Sequence, residues 1–553
     1  MSDQSFDYVI VGAGSAGCVL ADRLSADGAA RVLLLEYGGS DRSIFIQMPS
    51  ALSIPMNMPR YNWFYHTEPE PGLGGRSLHT PRGKVLGGSS SINGLVYIRG
   101  NPLDFERWAQ EGAAGWGYRD VLPYFRRAET REEGADRYRG GAGPLQTRYG
   151  TLNNPLHAAW LAAAAQAGYP HSKDVNGFQQ EGFGRMDMTV GAGRRCSAAN
   201  AYLRPALKRR NLQLITHALA TRVVLEGRRA VGLEYHHGGA THSVRIGREL
   251  IICAGPINSP QLLKLSGIGP AAELKAHGIE VRHDLPGVGE NLQDHLEFYF
   301  QVACTQPVSL YSSINLWSRA LIGARWLLRK DGLGATNHFE SCGFIRSRTG
   351  IKFPDIQYHF LPMAVAYDGS TLAQEHGFQA HVGPMRSKSR GWVRLASANP
   401  LDKPRVMFNY LSHADDITEM RACVRLTREI FAQPAFDQYR GREIQPGADV
   451  QTDAQIDEFA RSKVESAYHP SCSCKMGGND DPLAVVDPQA KVHGLEGLRI
   501  VDSSIMPSIT TGNLNAPTIM LAEKAADHII GRGLLAPDDA PYYTAPNWQG
   551  AQR

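Results

Sequence analysis

The sequence predicts two interleaved domains, one α/β and one α+β. Three observations carry this. A short apolar strand leads through a glycine-rich turn into a helix near the start of the chain. Between residues 292 and 410 the pattern changes to alternating strands, such as IQYHFLP and GWVRLAS, around one helix at about 314–329. The first pattern then returns at 498–531 as a strand and a helix.

Taken in order, residues 6–11 (FDYVIV) are an apolar β-branched run and predict a buried parallel strand. A helical pattern follows through Ala21 and Leu24, then a second strand at 31–35 ended by Glu36. Residues 40–82 are rich in Pro, Gly and aromatics and read as irregular. Helices are expected at 103–127 and 154–167. Strands are expected near 212–216, 221–226, 230–236 and 243–252, where the period is close to two. Helices at 413–432 and 453–463 precede the strand LRIVD at 498–502 and a helix at about 516–531. Residues 1–150, 192–291 and 464–535 are assigned to the α/β domain. Residues 151–191 and 292–463 are assigned to the antiparallel-sheet domain, and 536–553 to a surface tail.

A chain of 553 residues buries enough surface to fold without disulfide or metal staples. With 42% hydrophobic and 20% charged residues it is neither disordered nor a disulfide scaffold. Its net charge of +4 gives no reason to expect a nucleic-acid partner. The eight cysteines lack paired C-x-x-C spacing, so no zinc site is expected. Their scatter suits free thiols in a reducing compartment. The opening MSDQSFDYVIVG lacks the pattern of a secretory signal. No apolar run is long enough to predict a membrane span. The expected location is the cytoplasm or the cytoplasmic face of the inner membrane.

Gly12, Gly14 and Gly17 sit between the first strand and helix, beside Ser15. A dinucleotide needs a tight turn there, close backbone approach to the pyrophosphate, and free N–H groups at a helix start. Glu36, at the end of the second strand, is spaced to accept from ribose hydroxyls. This predicts a Rossmann-like site, and the carboxylate disfavours a 2′-phosphate. The spacing leaves FAD and NAD both open.

Two further segments, GKVLGGSSSIN from Gly83 to Asn93 and GPINSPQLLKLSGIG from Gly255 to Gly269, resemble the two signatures of the glucose–methanol–choline oxidoreductases. The resemblance runs from DYVIVGAGSAG to the last helix. It implies FAD and an alcohol substrate. It also implies cofactor contacts from Gly87, Gly88, Asn93, Val223, Asp502, Asn515 and Ala516, with the irregular segment 40–82 near the active site. Ile92 stands where some members carry a flavin-linking histidine, which implies a non-covalent cofactor. Tyr37 stands where the family usually has Ala.

Taking a hydride from a carbinol carbon requires that the hydroxyl proton also leave, and an imidazole is suited to receive it. His469, before Pro470, and Asn513 lie 44 residues apart, as the resemblance requires of the catalytic pair. YNWFYHTEPEP, GFQQEGFGRMD and NHFES are most similar to choline-oxidising members, which implies choline as substrate. The product would be betaine aldehyde, and then glycine betaine. A trimethylammonium is held by aromatic faces and one carboxylate. Trp63, Phe64, Tyr468 and Glu340 are the candidates. His359 and His376 are candidate pocket histidines, a structural role being the commoner one for each.

The electron acceptor implied is a respiratory-chain component or an artificial dye. Residues 315–330 (NLWSRALIGARWLLRK) form a basic amphipathic helix. The commoner role for such a helix is to cover a sheet. Peripheral attachment to a membrane is the alternative. Three other functions remain open from sequence: oxidation of another primary alcohol, a non-redox lyase that keeps FAD, and a plain NAD-binding protein.

Overall fold

The computed structural model describes residues 5–366 and 375–553. Met1–Gln4, part of the N-terminal reading, lie outside the described residues. Two large sheets organise the chain. In the first, the apolar runs Leu212–Thr216, Val32–Glu36 and Ser5–Val11 pair in parallel. The end of Ala240–Ile252 continues the parallel order, followed by Leu498–Ile500. Leu219–Glu226 and Arg229–His237 extend this sheet as an antiparallel meander. Helices Ser15–Leu24 and Asn515–Ile530 pack together beside it. Val9, Ile10, Leu34 and Ile252 have no exposed surface. Each such side chain contributes about 1.5–3 kcal/mol by leaving water.

The second sheet is antiparallel, in the order Arg440–Gln445, Leu296–Cys304, Gly377–Pro384, Ile356–Leu361, Ser341–Ile345 and Gly182–Arg185. Helices Ala414–Phe431 and Pro155–Gln166 pack with it around Trp160, Phe360, Phe378 and Phe431. The α/β and α+β reading is therefore the observed architecture. Glu465–Ser466, placed by sequence with the first domain, pairs instead with Leu296–Cys304 of the second sheet. The stretch 103–127 is two helices, Pro102–Gln110 and Tyr118–Ala128, because Gly112 and Gly115 adopt positive φ between them.

One peripheral segment differs from expectation. The helix Leu316–Arg329 buries only Trp326 and leaves its leucines in solvent, so it does not cover a sheet. The tail lies along both layers. Asp538 pairs with Arg126 beside the first domain, while the Ala551 carbonyl accepts from Arg346, and Arg553 pairs with Glu429, beside the second sheet. No helix among the described residues is long and apolar enough to cross a membrane.

Candidate active site

One cavity runs from the glycine turn to a histidine cluster between the two sheets. At its first end lie Gly12, Gly14, Ser15 and Glu36. Gly14 caps the first helix with no side-chain hydrogen bond, so the opening N–H groups have no side-chain cap. A Cβ on Gly14 would meet nothing within 4 Å, whereas one on Gly88 would lie 2.7 Å from the Gly14 Cα. The two glycines thus press two backbones together and leave a smooth cradle. Glu36 Oε2 accepts from the Ala13 amide at 2.8 Å and Oε1 from the Gly38 amide at 2.6 Å. Burial pushes this carboxyl up to about 7. Ser15 Oγ donates to Asn515 Oδ1 at 2.8 Å, joining the first and last helices at the turn.

Midway, Asn93, Ile92, Asp502 and Asn515 line the wall. The buried Arg195 holds Asn93 by its side-chain oxygen, at 2.8 Å. Asp502 accepts from the Gly255 amide and the Ser259 hydroxyl, at 2.9 and 2.6 Å. This elongated, glycine-floored channel with a carboxylate at one end fits a dinucleotide cofactor.

The far end is built by two loops. Tyr468 has φ +64°, an arrangement that needs external support. Arg82 supplies it by donating to the Tyr468 carbonyl at 2.6 Å, and the buried Asp294 accepts from the His469 amide at 2.7 Å. The second loop is anchored by Asp104, which accepts from the Thr511 amide at 2.6 Å and caps its own helix through the Asn101 amide. Together these anchors bring Asn513 Nδ2 to 3.0 Å from His469 Nε2.

The proton positions in this cluster follow from one carbonyl. Met385 O can only accept, and it lies 3.1 Å from His295 Nε2, so that nitrogen carries the hydrogen. Burial pulls His295 down to about 4, so it is neutral and its Nδ1 accepts. His469 Nδ1, 3.1 Å away, must then donate. Burial, then His295, His359 and Arg82, hold His469 well below its ordinary value. Its Nε2 therefore carries no hydrogen and accepts from Asn513 Nδ2, a lone pair that can take a proton from an alcohol hydroxyl placed between the two groups. His359 Nε2 and Gln357 Nε2 lie 3.1 Å from Asn513 Oδ1 and orient that amide.

Several expected residues lie elsewhere. Glu340 does not line the cavity. Its carboxylate accepts from the Leu152 amide at 2.6 Å and the Thr336 hydroxyl at 2.7 Å, so it ties two loop segments together just ahead of the strand Ser341–Ile345. Phe64 also lies off the lining and packs on His79. Val223, Gly17, Gly87 and Ala516 are likewise off it. The Val223 amide donates to Ser266 Oγ, and Leu219 and Ala220 of the same strand reach the cavity instead. A Cβ on Gly17 would sit 1.9 Å from the Gly12 carbonyl, so its role is close packing. Trp63 and Tyr468 do line the cavity, Trp63 stacked between Tyr37 and Tyr65. His376 stays outside, bonded to Ser309.

The carboxylate at the histidine end is Glu297, 2.9 Å from His381 Nδ1, with Phe339 against His381 and His359. Sequence reading missed Glu297, His295 and Phe339, and favoured a structural role for His359 over the pocket role it also allowed. The signal was present: His295, just before the strand Leu296–Cys304, and Glu297, near its start, are two titratable residues two apart at the head of a largely apolar run.

The family models described as GMC oxidoreductase match residues 6–297 and 387–522. The chain belongs to the GMC oxidoreductases. It is an FAD-dependent oxidoreductase, and the residues along the channel fit that cofactor. Relatives named oxygen-dependent choline dehydrogenase come from Brucella ovis, Photobacterium profundum and Vibrio vulnificus. The first is 60% identical, covering 99% of this chain and all of its own. The second is 58% identical, covering 99% and 97%. The third is 57% identical, covering 100% and 99%. Among solved structures, pyridoxine 4-oxidase from Mesorbium loti is 32% identical with a TM-score of 0.86, covering 95% of this chain and 99% of its own. A fungal aryl-alcohol oxidase is 26% identical with a TM-score of 0.83, covering 96% and 99%.

Proposed function

We propose that this protein oxidises choline to betaine aldehyde with non-covalently bound FAD. The observation that carries the reading is the His469–Asn513 pair at 3.0 Å, in one cavity with Glu297 and the aromatic residues Phe339 and Tyr468. The full-length relatives named choline dehydrogenase support it. When bound, FAD supplies the ring that takes up the hydride from the carbinol carbon. The glycine turn and Glu36 hold its adenosine and phosphate end. Asp502, Asn515 and Asn93 flank its middle. Ile92 offers no nucleophilic nitrogen for a covalent link.

At the reacting end Asn513 Nδ2 donates to the alcohol oxygen while His469 Nε2 receives the hydroxyl proton. The amide then shares the negative charge that develops on oxygen. Glu297 faces the trimethylammonium, with Tyr468 and Phe339 presenting their rings. Hydrated betaine aldehyde offers the same pairing of O–H and C–H, so a second round yields glycine betaine. Electrons leave to a respiratory-chain or artificial acceptor. The relatives' name, oxygen-dependent choline dehydrogenase, makes dioxygen the competing acceptor, and comparing turnover with each separates them. The enzyme is assigned to the cytoplasm or the cytoplasmic face of the inner membrane.

Anaerobic mixing of the holoenzyme with a panel of alcohols tests the reading. Choline should bleach the flavin fastest, ahead of aliphatic and aromatic alcohols. Bleaching by a neutral alcohol and not by choline would reassign the substrate, and no bleaching by any alcohol would remove the redox reading.

A further inference from the structure

The helix Leu316–Arg329 is built inside out. At about 100° per residue, Leu316, Trp317, Leu321, Leu327 and Leu328, with Ala320 and Ala324 between them, share one face about 140° wide. That face points to solvent: Leu316 is 83% exposed, Trp317 80% and Leu328 85%. The opposite side anchors the helix through Trp326, whose Nε1 donates to the Gly193 carbonyl at 2.7 Å. Soluble monomers rarely leave an apolar face of this size open.

Charge identifies what covers it. No acidic residue occurs from Asn315 to Lys330, while Arg325 and Lys330 stand at the two edges of the apolar face and Arg319 and Arg329 further round the helix, on either side of Trp326. Arg325 pairs with Asp331, just beyond the helix. Neither Arg319 nor Arg329 forms a salt bridge among the described residues. A two-fold contact with a second copy would set these cations against one another. Anionic headgroups would neutralise them while the leucines enter the acyl boundary and Trp317 sits at headgroup depth. At 14 residues the helix is about 21 Å long, shorter than a bilayer core, so it lies in the interface plane.

The surface continues beyond the helix. Its C-terminal end packs on the turn Gly332–Ala335, which carries the exposed Leu333 and in turn packs on Pro49–Ala51. Ile44, Phe45 and Ile54 around that second turn are also exposed. Leu52 and Met56, from the same stretch, line the catalytic cavity.

We infer that Leu316–Arg329 docks the protein on an anionic phospholipid surface, with the 44–56 segment at the cavity wall beside it. This deepens the membrane-face part of the reading above and is independent of which alcohol is oxidised.

Flotation of the full-length holoenzyme with vesicles tests it. Wild type should float with phosphatidylcholine vesicles containing phosphatidylglycerol and do so at least tenfold less with phosphatidylcholine alone. L321Q/L328Q, which alters only exposed side chains, should lose binding at least tenfold while keeping bound flavin and turnover with a soluble acceptor. R319Q/R329Q should bind more weakly and with a shallower salt dependence. Failure of wild type to float with anionic vesicles at low salt, or equal flotation of L321Q/L328Q, overturns the inference. A dimer that L321Q/L328Q splits, without vesicle binding, assigns the face to a second copy and also overturns it. Because flotation needs no substrate, failure here leaves the choline reading standing, and failure of choline oxidation leaves this result readable.

Discussion

At the scale of residues, the chemistry depends on which groups reach the cavity. Glu297 does and Glu340 does not, although both are buried carboxylates on the second domain. Glu297→Gln should therefore lower kcat/KM for choline at least tenfold relative to 3,3-dimethylbutan-1-ol, its neutral isostere, about 1.4 kcal/mol of discrimination. Glu340→Gln should lower thermal stability through its lost loop contacts and leave that ratio unchanged. The reverse pattern would return the cation site to Glu340. Sequence similarity led to Glu340 because a short motif carries no information on which way its side chain turns. His469 and Asn513 were legible because their chemistry is scarce and their spacing fixed, while His295 was hidden one shell behind them. His295 also makes a pH prediction. Its folded value is depressed to about 4, so the unfolded chain takes up a proton below about 6.5 that the folded protein refuses. Its contribution to stability is thus lost as pH falls from about 6.5 towards 4. Across that window His295→Asn should flatten the decline in unfolding free energy by up to about 1.4 kcal/mol per pH unit. Parallel wild-type and variant curves would show that His295 is not neutral in the folded state.

At the scale of elements, close backbone approach does most of the positioning. The strand–turn–helix at the start of the chain was legible because glycine spacing and apolar runs report local geometry directly. The crossing of Gly88 over Gly14 was not, since it joins segments some seventy residues apart in sequence. Gly88→Ala would place a methyl carbon 2.7 Å from the Gly14 Cα and push the two turns apart. The purified variant should lose most of its flavin absorbance while staying folded by circular dichroism, and full retention of flavin would contradict the tight-cradle account. Leu316–Arg329 shows the opposite limit. Its amphipathic period was plain from sequence, but period alone does not say whether the apolar side faces a sheet or the solvent.

At the scale of the whole molecule, the two sheets have separate cores, yet the active site draws on both. His469 and Asn513 come from loops of the C-terminal segment, and Glu297, His359 and His381 from the antiparallel sheet. Whatever holds the layers together therefore holds the site. The last residues contribute, since Asp538 grips Arg126 on one side and Arg553 grips Glu429 on the other. Deleting residues 536–553 should lower Tm by about 2 °C or more, measured by calorimetry, with no change in substrate preference. An unchanged Tm would reduce the segment to a passenger. The central claim is that the His469 imidazole takes the alcohol proton while the amide of Asn513 holds the oxygen. Rapid anaerobic mixing of choline with wild type and with His469→Ala, following flavin absorbance, tests it most directly. The account predicts a reduction rate lower by about 10²–10⁴ in a variant that still carries FAD, whereas reduction at the wild-type rate would contradict it.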